Sequence, residues 1–328
     1  MSLWSGVVLF LTVHFSTPVW SQTVLTTEPE LIQLDLPHLS MSALCWGPRD
    51  GRLAVCVHGF PDSAHTWRYL GPMLAAEGFR VVAPFTRGYG PTGSAPDGDY
   101  HIGALMADLI AVHGALDGGD DAVLIGHDWG AWTTNALAAY PGSPYRRYVS
   151  LALPPVRSLG TSANGFTRNL RMSAIQLRMS WYILFFQLPF LPERVLTRVV
   201  PRLWKDWSPP GTDVHDDVTT TLDALASFEQ RRAAVAYYRS MFRFTKASAP
   251  YEGLHRFRFR LPFRPMLVLH GEMDGAMQVG YLDHVLDALP PGSRVRVIPD
   301  AGHFLHVDRP EAVGSAILAY LSKSTGSS

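Results

Sequence analysis

From Leu31 onward, short apolar runs alternate with amphipathic stretches. Leu31 to Leu36 and Leu39 to Trp46 read as two strands of an antiparallel start. Leu53 to His58, Arg80 to Pro84, Ala122 to Gly126 and Tyr148 to Leu153 are compact apolar runs, the pattern of strands buried on both faces. Between them, Trp67 to Glu77 has helical spacing and stops at Gly78. Ile102 to Leu116 runs up to Gly118 and Gly119, and Ala131 to Tyr140 is halted by Pro141. The alternation predicts an α/β fold with a mostly parallel sheet covered by helices on both faces. The rhythm breaks between Pro155 and about Pro250, where aromatic and helix-forming stretches such as Trp181 to Phe190 and Ala233 to Phe244 replace strands. Strands resume at Pro265 to His270 and Ser293 to Ile298, with helices at Gly280 to Leu289 and Pro310 to Ser322. The prediction is eight strands, with a helical cap inserted after the sixth. The core comprises 25–155 and 250–328, and the cap 156–249.

The sharpest chemical signal is Gly126-His127-Asp128-Trp129-Gly130, between a strand and a helix. It has the spacing of a nucleophile elbow, G-x-S-x-G, with Asp in place of Ser. The glycines answer a turn too tight for side chains, and the turn projects residue 128 beside a helix N-terminus, where the dipole favours negative charge. An Asp there can also merely cap the helix. Two further motifs favour the chemical reading. Gly271-Glu272-Met273-Asp274-Gly275 follows one late strand and Gly302-His303-Phe304 the last, giving the order nucleophile, acid, histidine. His306 is the fallback base and Glu272 the fallback acid. His58-Gly59-Phe60-Pro61 follows an earlier strand, so the backbone N–H groups of Phe60 and Trp129 are the expected oxyanion donors. Gly88-Tyr89-Gly90-Pro91-Thr92-Gly93 matches G-x-G-x-x-G. The Pro, Asp and Gly after it predict a loop, whereas a dinucleotide site needs a helix there.

HGFPDS at 58–63, GHDWGA at 126–131, HGEMDGA at 270–276 and AGHF at 301–304 together resemble the soluble epoxide hydrolases, in the Asp-nucleophile branch of the α/β-hydrolase superfamily. The likeness runs from about Leu31 to the C-terminus. FTRGYGPT at 85–92 resembles the family's D-x-R-G-Y-G-x-S, departing where Phe85 replaces Asp. The resemblance implies two cap tyrosines facing the nucleophile. Trp181 to Gln187 matches the first context and Tyr237-Tyr238-Arg239 the second, which assigns Tyr182 and Tyr238, with Tyr237 as the adjacent alternative. It further implies that Asp128 attacks an epoxide to form an alkyl ester while the tyrosines donate to the leaving oxygen. His303, oriented by Asp274, then activates water to release a vicinal diol. Trp129, Pro61, Trp181 and Phe186 are the expected pocket walls, and Phe185, Leu188 and Phe190 extend an apolar tunnel. No metal or organic cofactor is expected, and the implied substrate is a small apolar epoxide. The nearest rival is a haloalkane dehalogenase, which shares the Asp nucleophile. Its halide needs no proton, and many such enzymes carry Asn where this chain has Phe60. A ligand-binding protein that has lost its chemistry is the alternative from another class.

Composition adds limits. Of 328 residues, 47% are hydrophobic and 17% charged, enough apolar content for a sizeable core. Lys and Arg (28) balance Asp and Glu (28), and on that balance no basic cluster and no nucleic-acid partner are expected. Cys45 and Cys56, in strand-like runs, are expected to be buried free thiols. Gly6 to Val13 is apolar and Val19-Trp20-Ser21 could pass for a cleavage site, yet no Lys or Arg precedes Arg49. Residues 1–24 therefore read as an N-terminal extension, from a start codon placed too early or as an atypical export signal. The run is too short to span a bilayer. The expectation is a cytoplasmic protein without an integral membrane span, with export as the alternative. The oligomeric state stays open, a homodimer among the options.

Overall fold

The computed structural model describes residues 28–160, 166–242 and 245–322; the N-terminal extension lies outside them. Eight strands form one sheet: β1 Glu30–Leu36, β2 Leu39–Trp46, β3 Arg52–Val57, β4 Phe79–Pro84, β5 Val123–His127, β6 Arg147–Leu151, β7 Met266–Gly271 and β8 Arg294–Ile298. Their spatial order is β1-β2-β4-β3-β5-β6-β7-β8. β2 pairs antiparallel with both β1 and β4, and every pair from β4 to β8 is parallel. The continuous apolar runs occupy the centre, where β5 and β7 are buried at every position, because helices cover both faces there.

On the core, α1 Leu70–Ala76, α2 Ile102–Ala115, α3 Trp129–Ala138, α10 Leu305–Asp308 and α11 Pro310–Ser322 flank the sheet. Between β6 and β7 the described chain is helical: α4 Phe166–Met179, α5 Trp181–Phe185, α6 Leu191–Trp207, α7 His215–Ala224, α8 Phe228–Phe242 and α9 Ala249–His255. Along α6, Leu196, Val200, Leu203, Trp204 and Trp207 are buried, a three- and four-residue spacing that turns one face inward. That face fastens the insertion to the core. Trp204 stacks on Phe304 and its Nε1–H donates to the Pro61 carbonyl at 2.7 Å. Within the insertion, Arg239 of α8 pairs with Glu193 of α6 and donates to the carbonyls of Phe186 and Leu188.

Three expected helices are shorter than predicted. The stretch from Trp67 is a 3₁₀ turn, Ala64–Arg68, followed by α1. Gly280 to Leu289 forms two 3₁₀ turns, Val279–Leu282 and Leu286–Ala288. Its buried Leu282 and Val285 recur at the three-residue interval that the tighter helix places on one side. The helix from Trp181 ends at Phe185, ahead of Pro189, since the residue before a proline is disfavoured in the α conformation. Residues 88–93 form a loop, as expected. The expected absence of a basic cluster is corrected: Arg256, Arg258, Arg260 and Arg264 fall within nine residues joining α9 to β7. The net balance hid them because the compensating acids lie elsewhere. Cys45 and Cys56 are buried free thiols. Among the described residues no helix is long and apolar enough to cross a membrane.

The loop after β4 is held by one buried cation. Arg87 donates to both carboxylate oxygens of Asp108 on α2 at 2.6 Å and to the Asp99 carbonyl at 2.5 Å. Phe85, which stands where the related motif has Asp, is buried in the core and packs on His65; the loop's shape rests on Arg87. Arg87→Gln would leave Asp108 buried with the His38 ring, at 2.7 Å, in place of the guanidinium as its ion-pair candidate. Unfolding free energy in denaturant should fall by about 3–5 kcal/mol; a loss below about 1 kcal/mol would show that the pair holds little.

Candidate active site

Asp128 follows the last residue of β5 and adopts φ 50°, ψ −112°, a conformation rare for a residue with a side chain. Such strain costs about 1–3 kcal/mol and persists only where the surroundings enforce it. Here α3 begins immediately afterwards, and Trp132 N–H donates to the Asp128 carbonyl at 2.9 Å. The tight return brings α3 against β3. A Cβ on Gly130 would lie 2.1 Å from the Val57 carbonyl oxygen, so glycine is required there. Gly59 is similarly constrained, since its Cβ would sit 2.5 Å from the Asp128 side chain. These two contacts let the loop after β3 touch the nucleophile candidate, and Phe60 N–H donates to Asp128 Oδ1 at 2.9 Å. Trp129 is the first residue of α3, so its N–H is one of those a helix leaves without an internal acceptor.

The acid and the base arrive from the next strands. Asp274 follows β7, and its Oδ1 accepts the N–H groups of Ala276 and Met277 at 2.7 and 2.9 Å. Its Oδ2 accepts His303 Nδ1–H at 2.9 Å. His303 follows β8, and its own N–H donates to the Trp207 carbonyl at the end of α6, at 2.9 Å. The opposite ring nitrogen, Nε2, stands 3.6 Å from Asp128 Oδ2, aligned but beyond hydrogen-bonding length. Burial alone would hold the His303 pKa down. The negative charges of Asp274 and Asp128 outweigh it and push the pKa up to about 10. Burial disfavours the charged carboxylate of Asp128, yet the His303 imidazolium, aided by His127 and the Phe60 N–H, lowers its pKa below the usual range. Asp274 is lowered likewise against its burial, by His303 and His270. All three shifts favour the charged forms, two carboxylates flanking one imidazolium.

Over Asp128 lies a closed cluster of rings from α5 and α8. Tyr238 packs within 5.5 Å, centroid to centroid, of Phe60, Trp129, Tyr182 and Phe186. The hydroxyl of Tyr238 is buried without a hydrogen-bond partner. Burial and the Asp128 charge both push the Tyr182 and Tyr238 hydroxyls above the ordinary phenol pKa, which places both phenols within the electrostatic reach of that carboxylate. Tyr237 is engaged elsewhere, donating to the Arg87 carbonyl at 2.7 Å. Pro61 and Phe186 are buried around the site. Trp181 differs from expectation: it is 38% exposed and touches Tyr182 and Phe185 from outside. Leu188 and Phe190, expected along a tunnel, are exposed because the chain turns outward after α5.

The fallback residues are occupied in other ways. Glu272 is exposed and accepts the Asp300 N–H at 3.3 Å. His306 is buried, bonds to Thr66 Oγ1 at 2.6 Å and stacks on Trp67. The sequence reading missed the polar cluster under His303. His127 Nε2 must be the proton donor to the His303 carbonyl, 3.0 Å away, because a carbonyl only accepts. Its Nδ1 faces Asp62 Oδ2 at 3.5 Å, and neither atom has a hydrogen-bond partner, nor does Nδ1 of His306. Asp62, His127 and His306 are the group with metal-ligand spacing among the described residues, their ligand atoms within 4.8 Å of one another. His127 and Asp62 lie inside the GHDWGA and HGFPDS motifs, a signal that could have drawn attention to them.

Comparison with known proteins agrees with this arrangement. The alpha/beta hydrolase fold family model matches residues 55–310. Epoxide hydrolase 4 of Homo sapiens is 28% identical over 291 residues, covering 85% of this chain and 75% of its own. Epoxide hydrolase A of Mycobacterium tuberculosis is 29% identical over 310 residues, covering 82% of this chain and 90% of its own. The crystal structure of Epoxide Hydrolase A from Mycobacterium thermoresistibile superposes with a TM-score of 0.69 at 24% identity, over 90% of this chain and 98% of the other. With the family model spanning elbow, acid and histidine alike, the chain belongs to the alpha/beta hydrolase fold family.

Proposed function

We propose that this protein is an epoxide hydrolase that adds water to an apolar epoxide through a covalent ester on Asp128. The observation that carries the reading is the buried, unpartnered hydroxyl of Tyr238, which shares a ring contact with Tyr182 and the electrostatic field of Asp128. A halide leaving group needs no proton donor, whereas an epoxide oxygen leaves as an alkoxide. The curated relatives named as epoxide hydrolases support the same reading.

In the first step a carboxylate oxygen of Asp128 attacks a ring carbon and the C–O bond breaks. Tyr182 and Tyr238 hydrogen-bond the departing oxygen, and one passes it a proton. Asp128 needs no base for this attack, because its neighbours already keep it ionised. Esterification then removes one of the two negative charges beside His303. With only Asp274 left to favour the imidazolium, the His303 pKa falls; its Nε2 proton passes through water to the tyrosinate left by ring opening, and the neutral ring becomes available as a base. Water, deprotonated there, attacks the ester carbonyl of Asp128. The oxyanion forms on the oxygen already held by Phe60 N–H, with Trp129 N–H as the second donor. The tetrahedral adduct collapses by breaking the ester C–O bond, the departing alkoxide takes the proton of the newly formed acid to complete the diol, and Asp128 regains its charge beside the His303 imidazolium. The helices of 156–249 act as the cap that excludes bulk water from these steps.

His303→Gln should form the ester but hydrolyse it about 10²–10⁴-fold more slowly, so that intact-protein mass rises by the mass of one epoxide. In the parent enzyme, a single turnover in ¹⁸O-water should place the label in the Asp128 carboxyl group before product carries it. Label found in product alone from the first turnover means direct hydration and refutes the ester.

Tyr238→Phe should slow ring opening by about 10²–10³-fold or somewhat less, Tyr182 retaining part of the stabilisation. The double change to Phe should abolish it. Tyr237→Phe serves as the contrast, costing about 1 kcal/mol of stability through its lost bond to Arg87 and leaving the rate within a few-fold. Equal rate losses for Tyr237→Phe and Tyr238→Phe would undo the assignment.

The folded pKa of His303 lies above its ordinary value of 6.5, so its ionic contacts stabilise the fold fully below about pH 6.5. That contribution declines as the pH rises through about 10. The stability deficit of His303→Gln, measured by urea unfolding, should therefore shrink between pH 6.5 and 10. A deficit that grows with pH reverses the sign and contradicts the charge network.

A further inference from the structure

We propose that residues 256–264 form a docking surface for an anionic lipid membrane. This goes beyond the proposed catalytic function and does not depend on it. The segment leaves α9 and reaches β7 without regular structure, lying along α3. Trp132 Nε1–H donates to the Arg258 carbonyl at 2.7 Å, and Phe263 N–H donates to the Ala138 carbonyl at 3.4 Å. Arg264 donates to the Tyr145 carbonyl at 2.6 Å. With the backbone tied down, Phe259, Leu261 and Phe263 present large apolar side chains to solvent, at 45%, 37% and 50% exposure. Three large apolar side chains exposed within five residues point to an interaction surface, whereas a single exposed hydrophobic does not.

The same stretch concentrates positive charge. No Asp or Glu occurs from 253 to 271, although the whole chain is balanced. Among the described residues none of Arg256, Arg258, Arg260 and Arg264 forms an ion pair with a carboxylate. Three of the guanidinium groups lie over their neighbouring rings instead, at 5.1 Å for Arg256 and Phe257, 4.7 Å for Arg258 and Phe259, and 5.5 Å for Arg264 and Phe263. Exposed Arg146, next to Tyr145, adds a fifth positive charge near Arg264.

Cations without carboxylate partners beside exposed aromatic rings match the boundary of an anionic bilayer. Phosphate groups attract the arginines there, and rings settle at headgroup depth. A second copy of the same face would set like charges against each other, which disfavours a symmetric dimer through this patch. A nucleic-acid backbone would pair the arginines and leave Leu261 and Phe263 without an apolar environment. The patch also meets the candidate site through a chain of ring contacts. Phe259 packs on Trp132 at 5.6 Å, and Trp132 on Trp129, beside the nucleophile, at 5.2 Å.

The test is co-sedimentation of the full chain with phosphatidylcholine vesicles, with and without phosphatidylserine, at rising salt. Binding should require phosphatidylserine and weaken with salt. Arg256→Gln with Arg260→Gln should reduce partitioning about five-fold for each arginine removed, and Phe263→Ser should weaken it further. Arg202→Gln, an exposed position on α6 paired with Asp206, should leave it unchanged. Unfolding midpoints establish that each variant is folded. Equal binding to neutral vesicles, or undiminished binding by the double arginine variant, overturns the proposal. So does a preference for duplex DNA over vesicles, or a concentration-dependent dimer that the same variant dissolves.

Discussion

The site depends on one close approach between two chain reversals. β3 and β5 are neighbours in the sheet, with Val57 opposite Gly126, and both run toward the same edge. The loop leaving β3 and the elbow leaving β5 can meet only if no side chain stands between them. Gly130 against Val57 and Gly59 against Asp128 meet that condition. Any Cβ at either position would push the two loops apart and separate Phe60 N–H from the carboxylate it now holds. The positive φ of Asp128 is the strained consequence, and the surrounding strands and α3 supply what enforces it.

From that contact the electrostatics follow. β4 lies on one side of β3 and β5 on the other, so the strand order reverses at this point and leaves a crevice at the carboxyl ends. Asp128, Asp274 and His303 arrive there from three different strand ends and form a buried row of alternating charge. Each carboxylate is kept ionised by the imidazolium, and the imidazolium by the carboxylates. In the proposed reaction, esterifying Asp128 would break the row and lower the proton affinity of His303, the direction the second step requires.

The insertion closes the crevice with aromatic rings and ties itself down at points that also position the chemistry. The carbonyl of Trp207 fixes the backbone of His303, and Trp204 holds the carbonyl of Pro61. The insertion and the Asp128–His303–Asp274 row are therefore not independent. A change that loosens α6 moves His303 as well as the rings above it. The arginine-rich segment runs along α3, the helix that begins after Asp128, so a surface contact there is joined to the candidate site through the rings of Trp132 and Trp129.

Much of this was legible in the sequence, because strands buried on both faces leave unbroken apolar runs and tight turns require glycine whatever surrounds them. Those local rules were enough for the eight strands, the helical excursion after the sixth, and the positions of Asp128, Asp274 and His303. Others depended on distances between segments far apart in the chain. Tyr237 and Tyr238 are adjacent on one helix, and only packing against the loop of Arg87 engages the hydroxyl of the first and leaves that of the second without a partner. Trp181 is as apolar as Phe186, yet five positions along a helical turn set them about 140° apart, and only packing decides that the first is exposed and the second buried. Periodicity fixes which residues share a face of an element, but which face meets the site is set by contacts that no local pattern encodes.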